Sequence, residues 1–291
     1  MTTLHGGVRR AAWRLGFLVG RRRNYTLLER HYYSPVPDLE RLSPDVFDRV
    51  TGLAGVELDT GAQMSWAERE LREFVEEFEP PPGFRWDNYF YETGDAEIAY
   101  SMIRRLRPRR IVELGCGFST LVLAAACARN RADGAPAIFK NFDPYRAQSV
   151  GDDLPGLDER HDLPAQEVPM AEFLALGEGD VLFVDTSHTV KLGGDVNFIV
   201  LDVLPRLAPG VWVHFHDIWL PHEYHRVLVE EMGFYWAEQY LLQAYLSGNS
   251  ATQVMFATHA VARAEPERLQ ALIPRYTGEN YPTGFWLRHK P

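Results

Sequence analysis

The segment "VELGCGFST" (residues 112–120) joins a short apolar run to a helical pattern through two glycines. Before it, "RIVELG" (110–115) reads as a buried strand; after it, "STLVLAAACARN" (119–130) has helical spacing, with Ser119 placed as its N-cap. A strand that enters a helix through a glycine turn aims backbone N–H groups at a ligand. A dinucleotide fingerprint would require G-x-G-x-x-G/A, but the sixth position here is Thr120. An acid, Glu113, also stands two residues before the first glycine. Those two features point away from a pyrophosphate and towards a ligand that carries an amino group as well as a carboxylate.

Working outward, "AIFKNFD" (137–143), "DVLFVDTS" (180–187) and "GVWVHFHD" (210–217) are further apolar strands, and "VNFIVLDVLPRLAPG" (196–210) is a helical stretch. Apolar strands alternating with helices predict an α/β fold, a doubly wound and mostly parallel Rossmann-like sheet with both faces covered. Beyond residue 220, "YWAEQYLLQAYL" (235–246) reads as helix or loop, and "ATQVMFATHAV" (251–261) and "TGFWLRHK" (283–290) read as strands. They would complete the sheet with an antiparallel edge. Ahead of the sheet, "SWAERELREFVEEFE" (65–79) has helical spacing, a capping box from Ser65 to Glu68, and a stop at "PPPG" (80–83). This divides the chain into a helical N-terminal extension over 1–84, acting as a lid or dimer element, and a catalytic domain over 85–291.

Composition narrows the function classes. A net charge of −10 over 291 residues argues against a general nucleic-acid binder. The two cysteines, Cys116 and Cys127, suit neither a disulfide framework nor a zinc site, so a reducing cytoplasm is the expected location. The basic stretch "RRAAWRLGFLVGRRR" (9–23) is interrupted by Arg14 and is too short for a signal peptide or a membrane span. It is expected to pack on the protein's own surface or on a neighbouring subunit of a homo-oligomer, with membrane contact as the sharper alternative.

The glycine segment resembles the first motif of class I S-adenosylmethionine-dependent methyltransferases, E/D-x-G-x-G, which "ELGCG" (113–117) fits at every fixed position. The resemblance implies that Gly115 and Gly117 let the backbone approach the cofactor and that Glu113 bonds its amino end. Ser119 belongs to the same cofactor-binding turn, and Asp143, ending the next strand, accepts from the ribose hydroxyls. The run "NYFYETGDAEIAYSMIRRLRPRRIVELGCGFST" (88–120) is similar to the segment preceding that motif, and it implies that Tyr91 and Asp95 help close the cofactor site.

Two strand ends carry further chemistry: "FVDTSH" (183–188) and "HFHD" (214–217). If these strands are neighbours, Asp185, His216 and Asp217 converge beside the cofactor and could hold a divalent cation. Mg²⁺ prefers oxygen, whereas a histidine suits Mn, Fe, Co or Zn better. The pairing of D-x-x-H with a strand ending in H-D is similar to metal-dependent sugar and natural-product O-methyltransferases. That likeness implies Asp185 and Asp217 as metal ligands, with Asp185 also near the cofactor's sulfonium, and His188 as the base that takes the hydroxyl proton. His216 departs from the group, where an acid is common.

The expected activity is therefore methyl transfer to a hydroxyl of a small molecule, a sugar or glycosylated natural product. Alternatives are a non-methylating reaction on the same fold (cyclisation or hydroxylation), a non-catalytic binding module, or an NAD(P) enzyme, which Thr120 and Glu113 disfavour. Of the remaining polar residues, His214 is expected to be packed and satisfied, and "PHEYH" (221–225) to form a loop over the site. "SGN" (247–249) would be a turn reaching substrate, and Lys191 and Asp195 a surface ion pair.

Overall fold

The apolar runs become strands β1 (Arg110–Leu114), β2 (Ile138–Phe142), β3 (Glu159–His161), β4 (Val181–Val184), β5 (Trp212–Phe215), β6 (Thr252–Ala257) and β7 (Phe285–His289) in a computed structural model. It describes residues 31–145, 147, 150, 151 and 153–290, so the basic stretch 9–23 lies outside the described residues. The helices are α1 (Thr60–Glu70), α2 (Arg72–Glu77), α3 (Asp95–Leu106), α4 (Phe118–Ala132), α5 (Met170–Leu174), α6 (Asp195–Phe198), α7 (Arg226–Glu230), α8 (Glu238–Leu246), α9 (Thr258–Ala264) and α10 (Pro266–Leu272). Among the described residues, no helix is long and apolar enough to cross a membrane.

The strands form one seven-stranded sheet in the order β3-β2-β1-β4-β5-β7-β6. β1 to β5 run parallel, and β7 lies antiparallel between β5 and β6. This is the doubly wound, Rossmann-like arrangement that the alternation of strands and helices predicts. The antiparallel strand is not the edge, as expected, but sits one place inside it. Register aligns Leu114 with both Phe142 and Val184, and Val184 with Phe215. The next residues of those four strands, Gly115, Asp143, Asp185 and His216, consequently stand in one row along the carboxyl edge.

The pleat explains why this row is rigid. Ile111 and Phe183 point into one apolar layer with α1, α3 and α4, while Val112, Leu114, Leu182 and Val184 point into the other. Both layers are dry: Ile111, Leu114, Leu182, Phe183 and Val184 are fully buried. Burial of each such side chain contributes about 1.5–3 kcal/mol, so a slip in register would forfeit several of them at once.

Three local expectations change. Helix α1 starts at Thr60, because Asp59 caps it by accepting from the Ala62 N–H (2.9 Å); Ser65 lies inside and donates to the Gly61 carbonyl (2.8 Å). The helical run then breaks at Leu71 instead of continuing to residue 79. Ser119 is likewise not the cap of α4, which begins at Phe118 after Gly117. In the third case "ATQVMFATHAV" is a strand only to Ala257, where α9 takes over. Part of the N-terminal extension packs directly on the sheet: Trp66 of α1 stacks on Trp212 of β5 (6.1 Å), and Gln63 accepts from the Ala257 N–H (2.9 Å).

Asp180, fully buried, pins the other end of the sheet. Its carboxylate accepts from the backbone N–H groups of Arg109 (3.0 Å), Arg110 (2.9 Å) and Gly177 (2.9 Å), locking the start of β1 to the start of β4. Asp180→Ala would strand these donors, and we expect a loss of about 3 kcal/mol or more in urea-unfolding stability. A loss below about 1 kcal/mol would show that water replaces the carboxylate.

Candidate active site

The glycine turn is built by close approach. Gly115 has φ +98°, and a Cβ there would stand 1.8 Å from the Asp185 carbonyl oxygen, so only glycine lets β1 end against β4. Around Gly117, by contrast, a Cβ would meet nothing within 4 Å. Gly117 lines neither of the site's two cavities. Glu113 lies behind the turn, fully buried, accepting from Ser119 Oγ (3.0 Å) and Asn141 Nδ2 (2.7 Å). Asn141 also donates to the Gly115 carbonyl (2.6 Å), so acid, turn and neighbouring strand form one unit. Burial pushes the Glu113 carboxyl up to about 8, against the hydrogen bonds from Asn141 and Ser119. Asp143 stays on the surface side, its carboxylate accepting from the Tyr145 N–H (2.5 Å), and burial raises it. A cavity of about 310 Å³ opens here, with Gly115, Asp143, Asp185 and Lys191 on its walls.

Next along the row, carboxylates and imidazoles converge. Asp185 Oδ1 and Asp217 Oδ2 face His188 Nε2 at 3.5 and 3.4 Å, and the same two oxygens face His216 Nδ1 at 3.7 and 3.5 Å. Each imidazole is held from behind. Glu238 on α8, 1% exposed, bonds His188 Nδ1 (2.8 Å). His216 Nε2 faces Asp95 Oδ2 (3.4 Å) and Thr283 Oγ1 (3.4 Å), and Asp95 is itself fixed by the N–H groups of Thr283 (2.9 Å) and Gly284 (2.7 Å). Both His188 (φ +54°) and Asp217 (φ +57°) adopt the left-handed conformation, which costs a non-glycine residue about 1–3 kcal/mol. The surrounding hydrogen bonds hold that strain in place.

The charges are strongly coupled. Burial alone would strip the proton from His188, but Asp185 and Glu238 hydrogen-bond it and Asp217 adds its charge, raising it to about 10. His216 is also raised, because Asp217 and Asp185 outweigh its burial. Burial works against the ionised form of Asp185, yet His216 and His188 bring it down to about 2. The site therefore holds two imidazolium–carboxylate sets in balance.

A second cavity, about 760 Å³, lies on the other side of these residues. The two cavities share Asp185, Thr186 and Ser187, so they lie on either side of one wall. The structure thus brings Asp185, His188, His216 and Asp217 to one point and Gly115 and Asp143 beside it. Glu113, Ser119 and Tyr91 stand behind the walls instead of on them. Tyr91 is 2% exposed and packs its ring on His216 (5.0 Å). His214 is buried and stacked on Phe183 (3.9 Å), but its Nδ1 has no hydrogen-bond partner, so it is packed without being satisfied. Lys191 and Asp195 are not a pair. Asp195 accepts from the Ser187 N–H (2.9 Å) and hydroxyl (2.6 Å), shaping the loop before His188. Of "PHEYH", His225 lines the larger cavity. The "SGN" turn does not reach it; Gly248 bonds Gly55 (2.9 Å) at another cavity near the β6 edge.

Asn141 and Glu238 escape sequence reasoning. Asn141 carries a weak signal, a polar residue inside an apolar strand; Glu238 carries none, since its partner is 50 residues away.

Comparison with known proteins agrees with this geometry. Residues 112–218, from β1 through the His216–Asp217 corner, match a family model described as a methyltransferase domain. No curated protein matches the chain. Fold and match together support a methyltransferase domain of the class I type over these residues.

Two substitutions separate the roles of the glycines. Gly115→Ala is expected to destabilise the fold, because the new methyl overlaps the Asp185 carbonyl. Gly117→Ala should unfold at the wild-type temperature yet bind S-adenosylhomocysteine more weakly in calorimetry. Equal effects of both on folding would remove the distinction. Glu113 gives a pH test. Its folded value of about 8 lies above the ordinary 4.5, so the stability it contributes is complete below 4.5 and lost as pH rises through 8. Urea unfolding of Glu113→Gln against wild type should show the wild type losing ground between pH 5 and pH 8.5, and parallel curves would contradict this.

Proposed function

We propose that the protein transfers a methyl group from S-adenosylmethionine to a hydroxyl of a small molecule, a sugar or sugar-bearing natural product. One observation carries the reading: His188 lines the larger cavity, and its Nε2 lies 3.5 Å from Asp185, which lines both cavities, and 3.4 Å from Asp217. The cofactor supplies an electrophilic methyl group, and transfer to an alcohol leaves a proton to be held. His188 would take it once its own Nε2 proton, held by the neighbouring carboxylates, has left, with Glu238 fixing the ring through Nδ1 so that Nε2 faces the acceptor side. Gly115 and Asp143 on the walls of the smaller cavity, with Gly117 in the same turn, would hold the cofactor, and an acceptor in the larger cavity would meet it at Asp185.

The residues also fit a divalent cation. Asp185, His216 and Asp217 each offer one ligand atom, all within 4.8 Å of one another. Asp95 behind His216 resembles the carboxylate that turns a ligating imidazole toward its metal. This mixed oxygen–nitrogen set suits Mn²⁺, Fe²⁺, Co²⁺ or Zn²⁺ better than Mg²⁺. Bound there, a cation would supply positive charge that lowers a hydroxyl's pKa and loosens the carboxylates' hold on the His188 proton.

The test is transfer of label from methyl-labelled S-adenosylmethionine to a panel of glycosides, with the product's attachment site read by NMR. An O-methyl product is expected. Label on nitrogen or carbon, or an unmethylated product, would sink the proposal. His188→Ala should lower kcat about 10²–10⁴-fold with little change in KM for the cofactor. For the cation, EDTA should suppress turnover and Mn²⁺ restore it, whereas Asp217→Asn should be inactive and unresponsive to added Mn²⁺. Turnover indifferent to EDTA would dismiss the cation and leave methyl transfer standing.

A further inference from the structure

The larger cavity has an uneven charge. Among the described residues, its walls carry Glu92, Asp95, Asp185, Asp217 and Glu279 but no lysine or arginine. Asp95, Asp185 and Asp217 are engaged with the two imidazoles. The Glu92 carboxylate accepts from the Tyr89 N–H (3.2 Å), and among the described residues neither Glu92 nor Glu279 forms an ion pair. Asp95 ties their two segments together by accepting from the backbone N–H groups of Thr283 and Gly284.

Aromatic rings stand with these carboxylates. Tyr89, Phe90 and Tyr281 line the cavity and remain 88%, 74% and 54% exposed. Tyr281 lies 5.9 Å from Trp219, another wall residue. Trp219 is 7% exposed, and its buried indole N–H has no acceptor among the described residues. Carboxylates without cations beside ring faces attract a positive group and repel a negative one.

We propose that the acceptor carries an ammonium group, held by Glu92, Glu279 and the neighbouring rings while its hydroxyl lies at Asp185 and His188. The proposal rests on the methyltransferase reading and names the acceptor class: an amino sugar or comparable hydroxyl-bearing amine, not a phosphorylated or carboxylated compound. The amine itself is not methylated. It anchors the molecule.

Phenyl glycosides that differ at one sugar position supply the probes: 2-amino, 2-acetamido and the 6-carboxylate. Each is titrated by calorimetry into the full chain, with S-adenosylhomocysteine affinity measured alongside. The 2-amino glycoside should bind at least about tenfold more tightly than the 2-acetamido, with the carboxylate weakest. The double variant Glu92→Gln, Glu279→Gln should bring the amine down to the acetamido level and leave the S-adenosylhomocysteine affinity and the melting temperature unchanged. Equal binding of amine and acetamido, no binding of the amine, strongest binding of the carboxylate, or a preference that survives in the double variant would each overturn the proposal. Failure to bind S-adenosylhomocysteine, with the amine preference intact, would instead count against the methyltransferase reading.

Discussion

In-register parallel pairing of β1, β2, β4 and β5 is the constraint from which the site follows. Backbone hydrogen bonds continue one residue past the ladders: Gly115 N–H to Phe142 (3.0 Å), Asp185 N–H to Leu114 (2.9 Å) and His216 N–H to Val184 (3.0 Å). Side chains at that edge inherit the precision of the sheet, while the helices on either face keep it dry. Rigid strand ends suit a reaction whose rate depends on alignment more than on exotic chemistry.

The carboxylates and imidazoles at that edge are stable only as a set. Two acids a few ångströms apart in a buried place would repel, and two imidazolium ions would too; interleaved, each offsets the other's burial cost. His214, one pair deeper in β5, shows what happens without a carboxylate: burial, with His216 beside it, drives it to the neutral form. Identical side chains two residues apart thus differ in charge because one reaches the strand end and the other does not.

Much of this was legible in the sequence because it is local. The acid before the glycines, the acid closing β2, the D-x-x-H corner and the H-D corner are short motifs at ends of apolar runs, and doubly wound topology places such ends together. What could not be read depends on distant partners. Asp180 serves Arg109 and Arg110, some seventy residues earlier, and looks like any acid before a strand. Glu238 meets His188 only because α8 folds back. The place of β7 inside the sheet is set by which neighbours bury Phe285 and Leu287, and alternation alone cannot distinguish that slot from the edge. Ser65 and Ser119 misled because a serine at a helix start is a common cap; here Asp59 caps α1, and the Ser119 hydroxyl donates to Glu113 instead of capping α4.

The contact among Asp95, His216 and Thr283 joins three distant parts of the chain: the start of α3, the end of β5 and the approach to β7. His216 presents Nδ1 correctly only after all three have docked. Assembly of the domain and occupancy of its centre are therefore linked equilibria. A ligand held by His216 would tighten the closure of the sheet around it, and a weakness along that closure would lower its affinity.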